Sequence, residues 1–444
     1  MILNETDARK ILEKVLSFSK ADSVSSWLVG SNSSNLRFAL NSITTNGYAD
    51  ELTLSVTSYI GKKTGSVNTN KFDDESVRAA VAKSENVARL SPENKEFMPP
   101  LEPQVYVEAN NYSPSTESLE SSARAARVSY ILDQAPVNDV IAAGFYEDST
   151  GFFAVMNSKG LFAYNKGTLA DFSSTVRTKT GSGSSRVEKS YVNIDSLDTK
   201  SLSDRAINKS KLSVNPQEIP PGRYTVILEP SAAADMISLC IDFMDARSAD
   251  EGRSFFSKKG GGNTTGDKLA DSRVNIYSDP TDPNAPARPF SSEGYPLSRT
   301  DWFSSGVLMN LNRNRFWAQK NSQPIVPFPS NVIMAGTDKS LDKMIAETDS
   351  GVLITRFWYI RTVDQQTMLL TGLTRDGIFE IKDGKIFRPV KNFRFNESPM
   401  NVLSNIIDIG QSEKATGSET GDMQIYVPAL KVGNFNLSSL SDAI

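Results

Sequence analysis

Apolar and polar residues along this chain follow two different periods, and each period marks a kind of element. Ile11, Leu12, Val15 and Leu16 recur at helical spacing behind the cap candidates Thr6 and Asp7, which predicts a helix over 6–20. Between Ser33 and Ser66 the period falls to two. Leu52, Leu54 and Val56 alternate with Thr53, Ser55 and Thr57, and Gly61 and Gly65 punctuate a hairpin-like stretch. A second helix is expected over 73–90, where Asp73, Asp74 and Glu75 offset the helix dipole and Val77, Ala80, Val81, Val87 and Ala88 follow. Pro99, Pro100 and Pro103 then break the chain, which reads as a linker between subdomains.

A second block predicts a helix over 115–130, strands over 138–145, 151–157 and 161–176, and another helix over 199–212. The third block opens on Pro220, Pro221 and Gly222. It predicts a strand over 224–228, a long helix over 231–250 and short β-like runs to the end. The fold class is therefore α+β. An N-terminal α+β region of two subdomains (1–100 and 101–218) precedes a mainly β, barrel- or sandwich-like C-terminal domain (219–444), which carries helix 231–250.

Composition changes the picture mainly by what it removes. The 444 residues include no histidine and one cysteine, Cys240. That excludes a Ser-His-Asp triad, a Cys-His pair and an ordinary zinc site built from this chain alone. A net charge of −4 gives no electrostatic reason to grip a phosphate backbone, so no direct nucleic-acid contact is expected. The first residues carry acids before any base, unlike a signal peptide, and no apolar run approaches 18 residues. The expectation is a soluble, cytoplasmic protein with no membrane segment.

Few residues invite a chemical role. Cys240, among Met236, Leu239, Phe243 and Met244, reads as a small buried side chain with no base to activate it. Arg356-Phe357-Trp358-Tyr359 reads first as a core strand, with Phe357 and Tyr359 on one face and Arg356 and Trp358 on the other. Its functional alternative is a groove or interface, which favours Trp, Tyr and Arg as anchors. Arg375 and Asp376 before Gly377 read as a hairpin turn. Gly260-Gly261-Gly262 reads as a loop and lacks the order of a phosphate cradle.

Several segments together carry a recognisable pattern. They are Asn35 to Ile43, Asn157-Ser158-Lys159-Gly160-Leu161, Pro221-Gly222-Arg223-Tyr224 through Glu229-Pro230, and Glu251-Gly252-Arg253-Ser254-Phe255-Phe256. Thr355 to Arg361, Thr371 to Gly377 and Arg388 to Phe395 complete the set. Together they resemble the TldD/PmbA family, and the resemblance runs in order from about residue 30 to about residue 435. It implies one of two kinds of chain. The TldD kind carries HExxxH on the helix after the Glu-Pro strand and is a zinc peptidase, with a cysteine near its C-terminus as a further ligand. The TldE/PmbA kind lacks the motif and pairs with the catalytic chain.

Here the histidine positions correspond to Ile237 and Asp242 and the glutamate position to Ser238. The segment Thr416 to Met423 has no cysteine. The resemblance therefore implies a non-catalytic subunit with no cofactor of its own, zinc being expected only in a HExxxH-bearing partner. The partners implied are such a subunit in a heterodimer, or a second copy in a homodimer, together with unfolded peptide. Arg253, Arg356, Trp358, Tyr359 and Arg375 are the candidates for a peptide groove or interface. A homodimeric peptide-binding or gyrase- or toxin-linked regulator without a proteolytic partner is the second reading. A Ser-Lys or paired-carboxylate enzyme ranks last.

Overall fold

The long period-two stretches of the N-terminal half extend into strands that hydrogen-bond into one sheet. The computed structural model describes residues 1–441, so the last three residues of the expected 219–444 domain lie outside the described residues. α1 (Glu5–Phe18) is capped by Asn4, whose side chain accepts from the Asp7 amide, rather than by Thr6 or Asp7. β1 (Ser23–Ala39), β2 (Ser42–Ile60), β3 (Lys63–Thr69) and α2 (Asp74–Leu90) follow. After the proline-rich strap come α3 (Pro114–Glu117), α4 (Ser121–Val137), β4 (Val140–Asn157), β5 (Phe162–Thr178), β6 (Ser184–Tyr191) and α5 (Thr199–Leu212). The sheet order is β3-β2-β1-β4-β5-β6, with antiparallel neighbours throughout. Residues 1–100 and 101–218 thus give three strands each to one sheet.

Two expectations for this half are corrected. The strands expected at 138–145 and 151–157 are one strand, because Glu147 to Thr150 are paired on both sides, to β1 and to β5, and have no freedom to turn. The helix expected at 115–130 arrives later, since Pro114 starts a separate short turn.

All four long helices cover one sheet face. α1 and α2 pack on Leu28, Leu54 and Phe152, while α4 and α5 pack on Phe38, Tyr146 and Phe172. The other face carries Trp27, Phe153 and Val155 and meets Phe290 of the C-terminal half.

The C-terminal half comprises β7 (Gly222–Leu228), α6 (Pro230–Asp242), α7 (Ala246–Asp250), β8 (Ile276–Ser278), β9 (Thr300–Ser304) and β10 (Val307–Leu308). It continues with α8 (Arg315–Lys320), β11 (Asn331–Met334), α9 (Leu341–Ala346), β12 (Ser350–Asp364), β13 (Leu369–Lys382) and β14 (Lys385–Pro389). β15 (Phe393–Glu397), α10 (Pro399–Ser404), β16 (Ile406–Ala415) and β17 (Gln424–Leu440) complete it. β7, β12, β13, β15 and β17 pair in turn, and β17 returns to β7, so the barrel-like expectation is realised as a closed ring. Closure removes sheet edges, the usual sites of unwanted pairing.

Phe357, Phe395 and Phe435 stack within the ring's core, and α6 packs there through Ala232, Met236, Ile237 and Ile241. The helix expected over 231–250 breaks after Asp242. The Asn312 amide donates to the Met244 carbonyl and the Ala246 amide donates to the Asn312 carbonyl, and Asp245 then caps α7.

Candidate functional site

Of the residues singled out by sequence, Arg356 lines a cleft at the start of α6, where β6 and α5 of the N-terminal half meet the ring. Pro230 occupies the first turn of α6, a position that needs no amide donor. Glu229 beside it pairs with Lys209 of α5 at 2.5 Å, and Lys209 also reaches Thr355 Oγ1 at 3.3 Å. Lys189 of β6 pairs with Glu413 at 3.0 Å and donates to the Lys414 carbonyl. These groups line a tight cleft of about 50 Å³, far below the several hundred Å³ that an organic ligand or peptide fills. The Lys209–Glu229 and Lys189–Glu413 pairs across it fasten the two halves together.

One carboxylate at this site was not legible as functional from sequence. Asp235 lies within α6, and none of it is exposed. Its Oδ1 accepts the Glu419 amide at 2.8 Å and its Oδ2 accepts Ser418 Oγ at 3.2 Å. Gly417 makes room for it, since a Cβ there would sit 2.3 Å from Oδ1. Burial pushes the Asp235 carboxyl up to about 7, against hydrogen bonds that favour its ionised form. Ser231 Oγ adds a bond to the Thr416 carbonyl at 2.6 Å. Helix α6 is therefore tied to the 416–419 segment by hydrogen bonds. The available signal was an aspartate in the middle of a largely apolar helix, which a buried environment tolerates only with partners.

The three motif positions do not converge. Ile237 is fully buried in the core, Ser238 is buried, and Asp242 is exposed at the helix end. Cys240 is buried against Met400, with its thiol pushed up to about 12 by burial.

The groove candidates form one cluster and one outlier. Trp358 is 41% exposed, with the Arg356 guanidinium 5.1 Å and the Arg375 guanidinium 5.3 Å from its ring centre. Arg356 is buried and pairs with Asp376 at 3.2 Å, and Asp376 also accepts Ser184 Oγ of β6 at 2.7 Å. Arg375-Asp376-Gly377 is therefore no hairpin turn. It is a bulge inside β13, where Asp376 at φ +56° and Gly377 at φ +114° shift the register and turn Asp376 inward. The expected sharing of a face by Phe357 and Tyr359 also fails. Tyr359 adopts φ +54° at a second bulge and is exposed, while Phe357 is buried. Glu419 accepts the Ile360 amide released there at 2.9 Å. Arg253 is exposed on the turn after α7 and pairs with Glu251 at 2.5 Å.

Zinc does not fit these residues. A protein site needs three or four nitrogen, sulfur or oxygen donors aimed at one point. Among the described residues no group of three or more histidine, cysteine or acidic side chains could hold a metal. The purified chain should show the same thermal midpoint with EDTA as with excess zinc; a shift above about 2 °C would reveal a metal-linked fold.

Fold and site together define a two-part α+β scaffold, in which a closed strand ring packs on a central helix beneath an interdomain seam. The chain belongs to the PmbA/TldD metallopeptidase family. Three family models match in order: PmbA/TldA metallopeptidase domain 1 at 28–88, the central domain at 111–214 and the C-terminal domain at 221–439. A metalloprotease of Methanothermobacter thermautotrophicus is 26% identical over 293 residues, 60% of this chain and 61% of that protein. The match thus spans about three fifths of that relative's length. TldE from Thermococcus kodakarensis shares the fold with a TM-score of 0.85 at 16% identity, over 96% of this chain and 99% of that one. A Bacteroides thetaiotaomicron protein proposed to modulate DNA gyrase also aligns at 0.85, with 19% identity over 99% of this chain and 100% of its own. No helix of the described residues is long and apolar enough to cross a membrane.

Proposed function

We propose that this chain is the non-catalytic subunit of a TldD/TldE-type zinc metallopeptidase complex that processes unfolded peptides. One observation carries the reading: a peptidase-family scaffold without a single imidazole, whose motif helix has Ile237, buried in the core, and the exposed Asp242 at the histidine positions and the buried Ser238 at the glutamate position. A zinc peptidase needs donors for the metal and a carboxylate to take the proton of bound water. In this reading both come from a HExxxH-bearing partner. This chain contributes walls of the reaction chamber and main-chain contacts to an extended peptide, which give affinity with little side-chain selectivity.

Co-expression with a HExxxH-bearing family member is the test. The pair should co-purify stoichiometrically, cleave unfolded casein and lose that activity to a chelator, while this chain alone is inert. Full activity of the partner without this chain would sink the subunit role. A self-associated, peptide-binding and inert chain with no affinity for the partner would favour a homodimeric peptide-binding protein.

A further inference from the structure

Between the sheet and the C-terminal half lies a slot of about 630 Å³, within the size range of ligand cavities. Its floor is formed by Val29, Gly151, Phe153 and Leu169 on β1, β4 and β5, and Pro329 and Met423 face it from the other half. Three glycines border it, for different reasons. A Cβ on Gly30 would sit 2.4 Å from the Phe152 ring, and one on Gly167 would sit 2.8 Å from the Asn111 amide, so packing requires both. Gly151 is under no such constraint. Its backbone lies outside the left-handed region, and a Cβ would meet nothing nearer than the Gly30 carbonyl at 3.5 Å.

A glycine inside a long strand weakens it, and it marks places where a ligand or another backbone comes close. Gly151 stands directly opposite Gly167 across β4 and β5; Asn111 covers Gly167, so the bare backbone presented to the slot is that of Gly151. The one guanidinium at the lining is already engaged: Arg288 lies 4.4 Å from the Phe153 ring centre and donates Nε to the Phe290 carbonyl at 2.9 Å. What faces the opening is otherwise largely neutral, with one exposed carboxylate, Asp422.

From this geometry we infer that the slot receives an extended, uncharged segment of a second polypeptide. Its backbone lies over Gly151, and its small or apolar side chains sit among Val29, Leu169 and Met423. The inference rests on the peptide-handling reading above and adds the place and the substrate class: segments without charged side chains.

The test measures fluorescence anisotropy of a fluorescein-labelled, end-capped decapeptide made only of Ala, Val, Gly and Ser with the full chain alone. Gly151→Val fills the floor with a strand-favouring side chain, and Met423→Trp fills the slot from the opposite wall. The wild-type chain should bind saturably, and each variant should weaken binding at least about tenfold while keeping the wild-type thermal midpoint. If one variant fails to fold, the other decides. Wild-type affinity in a folded variant overturns the proposal, and so does a wild-type chain that never binds the probe. The assay contains no HExxxH partner, so failure to pair in the co-purification leaves its outcome unchanged, and the two readings fail separately.

Discussion

Asp235→Asn should make the protein's stability less dependent on pH, with the gain growing as the solution becomes more basic. The Asp235 carboxyl is raised to about 7 in the folded state by complete burial. In an unfolded chain it would titrate near the ordinary carboxylate value of about 4. Below both values the group is protonated in either state and contributes nothing that varies. As pH rises between them, the unfolded chain releases its proton first and stability falls. Above about 7 the loss is complete.

Asparagine removes the titration and keeps the geometry, because its carbonyl can accept the Glu419 amide and its amide can donate to Ser418 Oγ. Urea denaturation of both proteins at pH 5 and pH 8 is the measurement. The stability difference should move by about 3 kcal/mol in favour of the variant between those values. A difference that stays constant would mean that the Glu419 and Ser418 bonds keep the carboxylate ionised throughout. Comparing variant with wild type cancels the other titrating groups, Asp171 and Lys414 among them, which are likewise moved to about 7 by burial.

Arg124→Met should cost about 3–5 kcal/mol, the largest single loss expected in the N-terminal half. Arg124 of α4 meets Asp148 of β4 through two parallel bonds, Nε to Oδ1 at 2.5 Å and Nη2 to Oδ2 at 2.9 Å. Both residues are buried, at 5% and 7% exposure. Removing the guanidinium leaves a carboxylate in an apolar seam without a counter-charge. The double variant Arg124→Met/Asp148→Leu should recover most of the loss, since packed apolar side chains can replace a buried ion pair at little cost. Denaturant midpoints of the two single variants and the double variant decide. If the double variant is no better than Arg124→Met, the pair's value lies in packing rather than charge.

Much of the N-terminal half was readable because its rule is local. One helix or sheet face is apolar, and the period tells which kind of element carries it, as Val77, Ala80 and Val81 or Leu52, Leu54 and Val56 illustrate. The errors fall where partners outside the segment decide. Arg375-Asp376-Gly377 has the composition of a turn, yet pairing with β12 keeps it in a strand and spends the two left-handed residues on a bulge. The helix expected to reach 250 stops at Asp242 because Asn312, 70 positions away, takes over its backbone bonds.

The order of amino acids settles what chemistry is missing, because a chain without histidine lacks imidazole however it folds, and it settles which surfaces are apolar. It also carried the family resemblance from about residue 30 to about residue 435. That three strands from each side of the proline-rich strap form one sheet, and that five later strands close into a ring, emerges with the three-dimensional fold. Likewise, that fold alone brings Asp235 to the 417–419 segment and leaves Gly151 facing open space. Those outcomes depend on contacts between residues far apart in the chain, and burial, a shifted carboxyl or an unfilled slot exists only once both sides have been brought together.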